Sequence, residues 1–374
     1  MRHRSMHSGK VMTAAAACLW AVLVHLPVAA AQPHQARASA APRQIMAVPY
    51  YTPGMYVQGL LANRHAPLAG WLARQSEVLL ARVQSLCVAS PPQAAPALQG
   101  ARDQWAQTMA AWTALSTVAI GPIIERRSIR QLDFQPARPA LILKAIAAAP
   151  ADVSALDTVG APARGFPALE WLLWSSPTVS PGTPGCAYAA VLATELMQQA
   201  VALDAAYTAQ ARRDWNEADA EAASTLMGEV VNQWAGAIEQ LRWRDLGKPV
   251  ASAQGRAPEF PRALSRKTAM AWASQWQAIK VVASQGSAPV PPAGSGMMVP
   301  LELYLRGKGQ NAPADALARA VARADAALNG LSPRHSPARL QAAIQALGEL
   351  KQVAEAQVAP ALQISIGFSD ADGD

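Results

Sequence analysis

Apolar residues recur at spacings of three and four through most of the chain, the rhythm of helices with one buried face. Over residues 53–88, Leu68, Trp71, Leu72, Leu79, Leu80 and Val83 follow it and predict a helix with a break at Pro67. A second helix over residues 95–120 repeats Leu98, Trp105, Met109, Trp112 and Leu115 and is stopped by Gly121-Pro122. Two shorter ones follow over 138–148 and 167–174, the latter opening with a proline where a missing N–H costs nothing. A long helix over 186–213 completes a helical bundle spanning residues 53–213.

The same rhythm returns over 215–244, 259–285, 301–305, 314–328 and 337–360, predicting a second bundle over residues 214–374. A Gly/Ser/Pro loop over 286–296 interrupts it. Residues 32–52 are rich in Pro, Ala and Gln without periodic apolar positions and read as a flexible leader. Ala, Leu, Gln and Arg dominate and β-branched residues are thin, so the fold class is all-α. With 51% hydrophobic and 15% charged residues, the 374-residue chain buries a substantial core and is not a disordered polymer.

The first 31 residues have a basic start, an apolar stretch from Val11 to Val28 and a closing Ala29-Ala30-Ala31, the pattern of a secretory signal peptide cleaved near Ala31. The expected location is the periplasm. Lipidation at Cys18 is the minority reading, because Ala15-Ala16-Ala17 before it lacks the usual leucine. The formal charge is +7, but residues 1–31 hold Arg2, Arg4 and Lys10 and no acid, which leaves 29 basic against 25 acidic side chains after cleavage. This mild, dispersed basicity argues against nucleic acid as a partner. Of the cysteines only Cys87 and Cys186 remain, either as a disulfide tying two helices or as two buried thiols. The remaining histidines, His34, His65 and His335, have no ligand-type neighbour at helical spacing, so a histidine-rich metal site is not expected.

Four short stretches carry more specific information. They are Trp112…Gly121-Pro122 leading into Arg126-Arg127…Arg130-Gln131-Leu132-Asp133-Phe134; Gly165-Phe166-Pro167-Ala168-Leu169-Glu170-Trp171-Leu172-Leu173; Leu246-Gly247-Lys248-Pro249; and the closing Ile366-Gly367-Phe368-Ser369-Asp370-Ala371-Asp372-Gly373-Asp374. Taken in order they resemble the imelysin-like family of bacterial envelope proteins, once classed as metallopeptidases and associated with iron uptake. The resemblance implies two packed helical bundles with a pocket between them. The family's Gly-x-His-x-x-Glu hallmark places a histidine and a glutamate one turn apart, a pair proposed to hold a metal. Here Pro167 stands in place of that histidine and can be neither ligand nor base. The GFPALE form reads as that of a subgroup.

Glu170 sits among Phe166, Leu169, Trp171, Leu172, Leu173 and Trp174, so its carboxylate needs a partner. The candidates are Arg126, Arg127, Arg130 and Arg164. Two roles stand open for Glu170, an ion pair bracing the bundle junction or a ligand-facing group, and it is the one candidate metal ligand. The run from Glu125 to Asp133 packs three arginines and two acids into nine residues, which suits either a pocket for an anion or chelate or a solvated salt-bridge network. Lys248 is read as part of a turn in which Gly247 ends a helix and Pro249 prevents its continuation. The Asp370, Asp372 and Asp374 spacing looks like the start of a calcium loop without its later ligands. The tryptophan pairs Trp105/Trp112 and Trp272/Trp276 read as core.

The function these residues favour is a non-catalytic envelope binding protein linked to iron or other divalent-metal acquisition, with its ligand site at the bundle junction. The partners would be a small ligand or metal, with membrane contact by association. A metallopeptidase is the first alternative, although the paired histidines such an enzyme needs are missing. The second is a scaffold that docks other envelope proteins through the 286–296 loop.

Overall fold

Helix starts are written into the chain by caps and prolines. Thr52 Oγ1 accepts from the Met55 N–H at 3.1 Å and Pro53 opens α1 (Pro53–Leu60), while Thr183 caps α8 (Pro184–Arg212) in the same way. Between these lie α2 (Ala66–Cys87), α3 (Pro91–Ser116), α4 (Pro122–Glu125), α5 (Ser128–Leu132), α6 (Pro139–Ala148) and α7 (Gly165–Trp174). There follow α9 (Ala220–Glu239), α10 (Lys248–Ser252), α11 (Thr268–Ala283), α12 (Leu301–Gly307), α13 (Asn311–Leu328), α14 (Pro337–Val353) and α15 (Ala359–Ala361). This computed structural model describes residues 47–367 apart from 176–178, 217–218 and 287, and among the described residues there is no strand. The segment read as a signal peptide, most of the one read as a leader, Phe368 and the three closing aspartates lie outside the described residues.

Helix α2 packs between α3 and α8, and α7 lies against both α3 and α8. Helices α9, α11, α13 and α14 form a second group, and α3 against α11 and α1 against α9 join the two. One continuous apolar core runs through both groups. Large indoles fill it: Trp105, Trp112, Trp234 and Trp272 are all buried. Trp105, Trp112 and Trp234 each donate an indole N–H to a partner, whereas Trp272 Nε1 has none. Cys87, the last residue of α2, is disulfide-bonded to Cys186 in the first turn of α8, with Cα atoms 5.5 Å apart.

Several boundaries differ from the sequence reading for identifiable reasons. Residues 47–52, read as leader, contribute Tyr51 to the core, and its hydroxyl donates to the Pro291 carbonyl at 2.5 Å. The predicted breaks at Pro67 and Pro249 are not breaks. Each follows a π turn, Leu61–His65 and Gln240–Gly247, and a third π turn, Ala354–Val358, precedes Pro360 in the same register. In a regular α-helix a proline lacks one N–H and collides with the carbonyl four residues back. Widening the helix by one residue relieves the collision, so the axis continues. Gly247 is accordingly helical, with φ −69°, and does not end the helix. The helix predicted from residue 259 starts only at Thr268, because Arg262 and Arg266 adopt left-handed backbone with φ of 61° and 60°.

The first π turn buries His65 completely, its Nε2 lying 3.2 Å from both the Val118 carbonyl and Arg64 Nη1, with its ring stacked on Tyr207. Burial, and then the neighbouring Arg64 charge, push the imidazole from 6.5 down to about 3. The folded protein therefore keeps His65 neutral while the unfolded chain takes up a proton below about 6.5. Its contribution is fully present above that value and is lost as the pH falls toward 3. Urea unfolding should show wild type losing about 1–2 kcal/mol more stability between about pH 7 and pH 5 than His65→Gln. Equal losses in the two proteins would contradict this assignment.

Candidate functional site

Gly165 opens α7 with φ 66°, and a side chain there would collide with the backbone carbonyl of Leu132 at the end of α5. The glycine of the motif thus lets α7 start directly against α5. Asp133, the next residue after α5, and Glu170, in the middle of α7, are thereby brought to one place.

The group that joins them is Arg262, in the irregular turn before α11. Its Nη1 donates to Glu170 Oε2 at 3.4 Å and its Nη2 donates to Asp133 Oδ1. The Ser265 N–H donates to Glu170 Oε1 at 3.0 Å, so both carboxylate oxygens are engaged. Asp133 also accepts from Trp112 Nε1 and from Gln135 Nε2, each at 3.2 Å. The turn is fixed by bonds from Lys267 N and Ser265 Oγ to the Arg262 carbonyl, and from Thr268 Oγ1 to that of Pro261. Arg262 and Glu170 are only 5% and 6% exposed, which makes their mutual neutralisation obligatory. Burial works against the Arg262 charge, but Asp133 and Glu170 outweigh it and hold the guanidinium above its ordinary value. The face of Trp105 lies 5.8 Å from the same guanidinium.

On the other side of Arg262 and Asp133 is a cavity of about 40 Å³. Its opposite wall is the π turn Gln240–Gly247, where Arg244 donates through Nε and Nη2 to the two oxygens of Asp245 at 2.7 and 3.2 Å. Gln275 Nε2 on α11 donates to Asp245 Oδ2 at 2.7 Å. Asp245 first, and Asp133 beyond it, hold the Arg244 guanidinium above its ordinary value against burial. Trp112 and Trp272 complete the lining.

Of the residues the sequence nominated, the structure unites only Asp133 and Glu170. Arg126, Arg127 and Arg130 are exposed, Arg126 reaching Gln199 at 3.4 Å and Arg127 sitting at a left-handed turn with φ 52°. Arg164 pairs instead with the buried Glu195. Lys248 is exposed at the start of α10. The partner expected for Glu170 therefore comes from the other half of the chain: Arg262 lies 92 residues beyond it in a segment whose pattern looked helical. Arg244, Asp245 and Gln275 were missed too. The one available signal was a pair of oppositely charged neighbours, Arg244-Asp245, flanked by Trp243 and Leu246 in a helical run.

The donor set around Glu170 does not fit a metal ion. Pro167 occupies the histidine position, both Glu170 oxygens already accept hydrogen bonds, and a guanidinium stands where a cation would have to bind. Among the described residues no three His, Cys, Asp or Glu side chains are grouped to hold a metal.

The family model described as Imelysin matches residues 66–359. The chain belongs to the imelysin family. Its fold is shared with an imelysin-like protein from Psychrobacter arcticum 273-4, at TM-score 0.67 and 21% identity over 84% of this chain and 97% of that one. A candidate iron-regulated protein A precursor from Parabacteroides distasonis ATCC 8503 superposes at TM-score 0.66, with 14% identity over 83% and 95% of the two chains. No curated protein sequence gives a significant match.

Removing Arg262 leaves two carboxylates unpaired, one of them buried, whereas the arginines of the 126–130 run face solvent. Arg262→Ala should destabilise this imelysin-family protein by about 3–5 kcal/mol in urea unfolding. Arg126→Ala and Arg130→Ala should each change stability by no more than about 0.5 kcal/mol. The reverse order would mean that Glu170 is held by the arginine run after all.

Proposed function

We propose that the protein is exported to the periplasm and serves there as a non-catalytic binding protein linked to iron acquisition, with its ligand site at the cavity between Arg262 and Arg244. The observation that carries this reading is the cavity itself. It is walled by charged side chains from both halves of the chain, beside the family's motif glutamate, and is reached from solvent through the half-exposed Arg244. The signal-peptide pattern supports export, and the iron-regulated name of one structural relative supports the link to iron. Because the donors around Glu170 do not suit a bare ion, the reading favours iron carried as an organic chelate. A metallopeptidase would need three protein ligands and a water-activating base, which the residues around Glu170 do not supply.

The test is a thermal-shift titration of the protein purified without chelator or affinity histidines, using ferric citrate, free citrate and divalent metal chlorides. Ferric citrate at about a hundred times its dissociation constant should stabilise wild type by about 2.7 kcal/mol, a rise of several degrees, and should do much less for Arg244→Gln. No shift with any iron species would remove the iron link.

A further inference from the structure

The cavity has donors left over, and its two carboxylates are already engaged. Trp272 is 2% exposed, lines the cavity, and its indole N–H has no hydrogen-bond partner among the described residues. An indole can only donate, so leaving it unmatched in the interior is costly. Each guanidinium offers five N–H groups. Two nitrogens of Arg262 are engaged, with Glu170 and Asp133, and two of Arg244, both with Asp245. The acceptors, by contrast, are heavily used. Asp133 receives from Arg262, Gln135 and Trp112, and Asp245 receives twice from Arg244 and once from Gln275.

A complementary occupant must therefore accept hydrogen bonds. The ionised groups lining the cavity, Arg244, Arg262, Asp133 and Asp245, sum to zero charge, and Glu170 behind Arg262 adds one negative charge, so the occupant carries at most a single negative charge and a phosphate dianion is resisted. Its volume of about 40 Å³ amounts to roughly three or four water-sized positions, enough for the two oxygens and the carbon of a carboxylate with a short stem. Arg244, whose side chain is 47% exposed, marks the side from which the remainder of a larger molecule would extend into solvent.

We propose that this cavity is a carboxylate-binding site, in which Trp272 Nε1 and the remaining N–H groups of Arg244 and Arg262 grip one carboxylate group. The inference rests on the binding-protein reading above and gives its ligand a chemical handle. The carboxylate can belong to a free small acid or to an arm of a ferric chelate.

The test follows the indole N–H resonance of Trp272 by ¹⁵N NMR, assigned by its disappearance in Trp272→Phe, during titration with acetate, citrate, gallium(III) citrate as a diamagnetic stand-in for the ferric complex, phosphate and magnesium chloride. Acetate and the citrate species should shift this resonance saturably, and Trp272→Phe, which keeps an aromatic ring but loses the donor, should bind them about tenfold more weakly by isothermal titration calorimetry. Tighter binding of the metal citrate than of acetate identifies a chelate arm as the source. Equal binding identifies a free acid, which ends the iron reading and keeps the carboxylate site. If carboxylates leave the Trp272 resonance unmoved, or if phosphate or magnesium alone moves it, the carboxylate assignment is overturned. Metal citrate that stabilises the protein without touching Trp272 would overturn the assignment and leave the iron reading standing.

Discussion

A single guanidinium, buried between two carboxylates drawn from another part of the chain, organises this molecule. Arg262 cannot be placed in the interior uncompensated, and neither can Glu170, because an isolated buried charge costs several kcal/mol even after relaxation. Each therefore fixes the other. Since Glu170 belongs to α7 and Arg262 to the turn ahead of α11, their pairing ties the motif helix to the second group of helices. The cavity exists because the same guanidinium turns its other amino group to Asp133, forming a wall that Arg244 and Asp245 face.

The backbone around this pairing is specialised to permit it. Gly165 lets two chain segments touch where any Cβ would intrude, which explains the glycine of the motif without reference to a metal. The left-handed conformation of Arg262 interrupts what would otherwise be a longer α11, and helical continuation there would carry the guanidinium away from Glu170. The π turn Gln240–Gly247 places Arg244 and Asp245 adjacent on the cavity wall while also accommodating Pro249. Three π turns, each followed at the second position by a proline, give long helices that bend to the core without ending.

Much of this was legible in the sequence, and the division falls along physical lines. Helical period identified the long elements well, because Leu, Trp and Ala at spacings of three and four leave little freedom of interpretation. The need of Glu170 for a cationic partner was equally readable, since six apolar neighbours announced its burial. Which arginine would supply it was not. Proximity in sequence favoured Arg126, Arg127, Arg130 and Arg164, but ion pairing across a fold is set by tertiary contact. Arg262 lay in a stretch whose apolar spacing suggested a regular helix and concealed the left-handed turn. Prolines misled for a related reason: Pro67 and Pro249 were read as breaks because propensity describes a regular α-helix, whereas the chain solves the clash by widening the preceding turn. Asp245 was overlooked because an acid next to an arginine on a helix is ordinarily a surface pair.

The measurement that bears most directly on this organisation is a double-mutant cycle between Glu170 and Arg262, using Glu170→Gln, Arg262→Gln and the double variant in urea unfolding. If the pairing ties the two groups of helices together, the cycle should return a coupling of about 1–3 kcal/mol, with the double variant more stable than the two single effects would give by addition. Additive effects, within about 0.3–0.5 kcal/mol, would show that the two residues act independently and that the junction is held by something else.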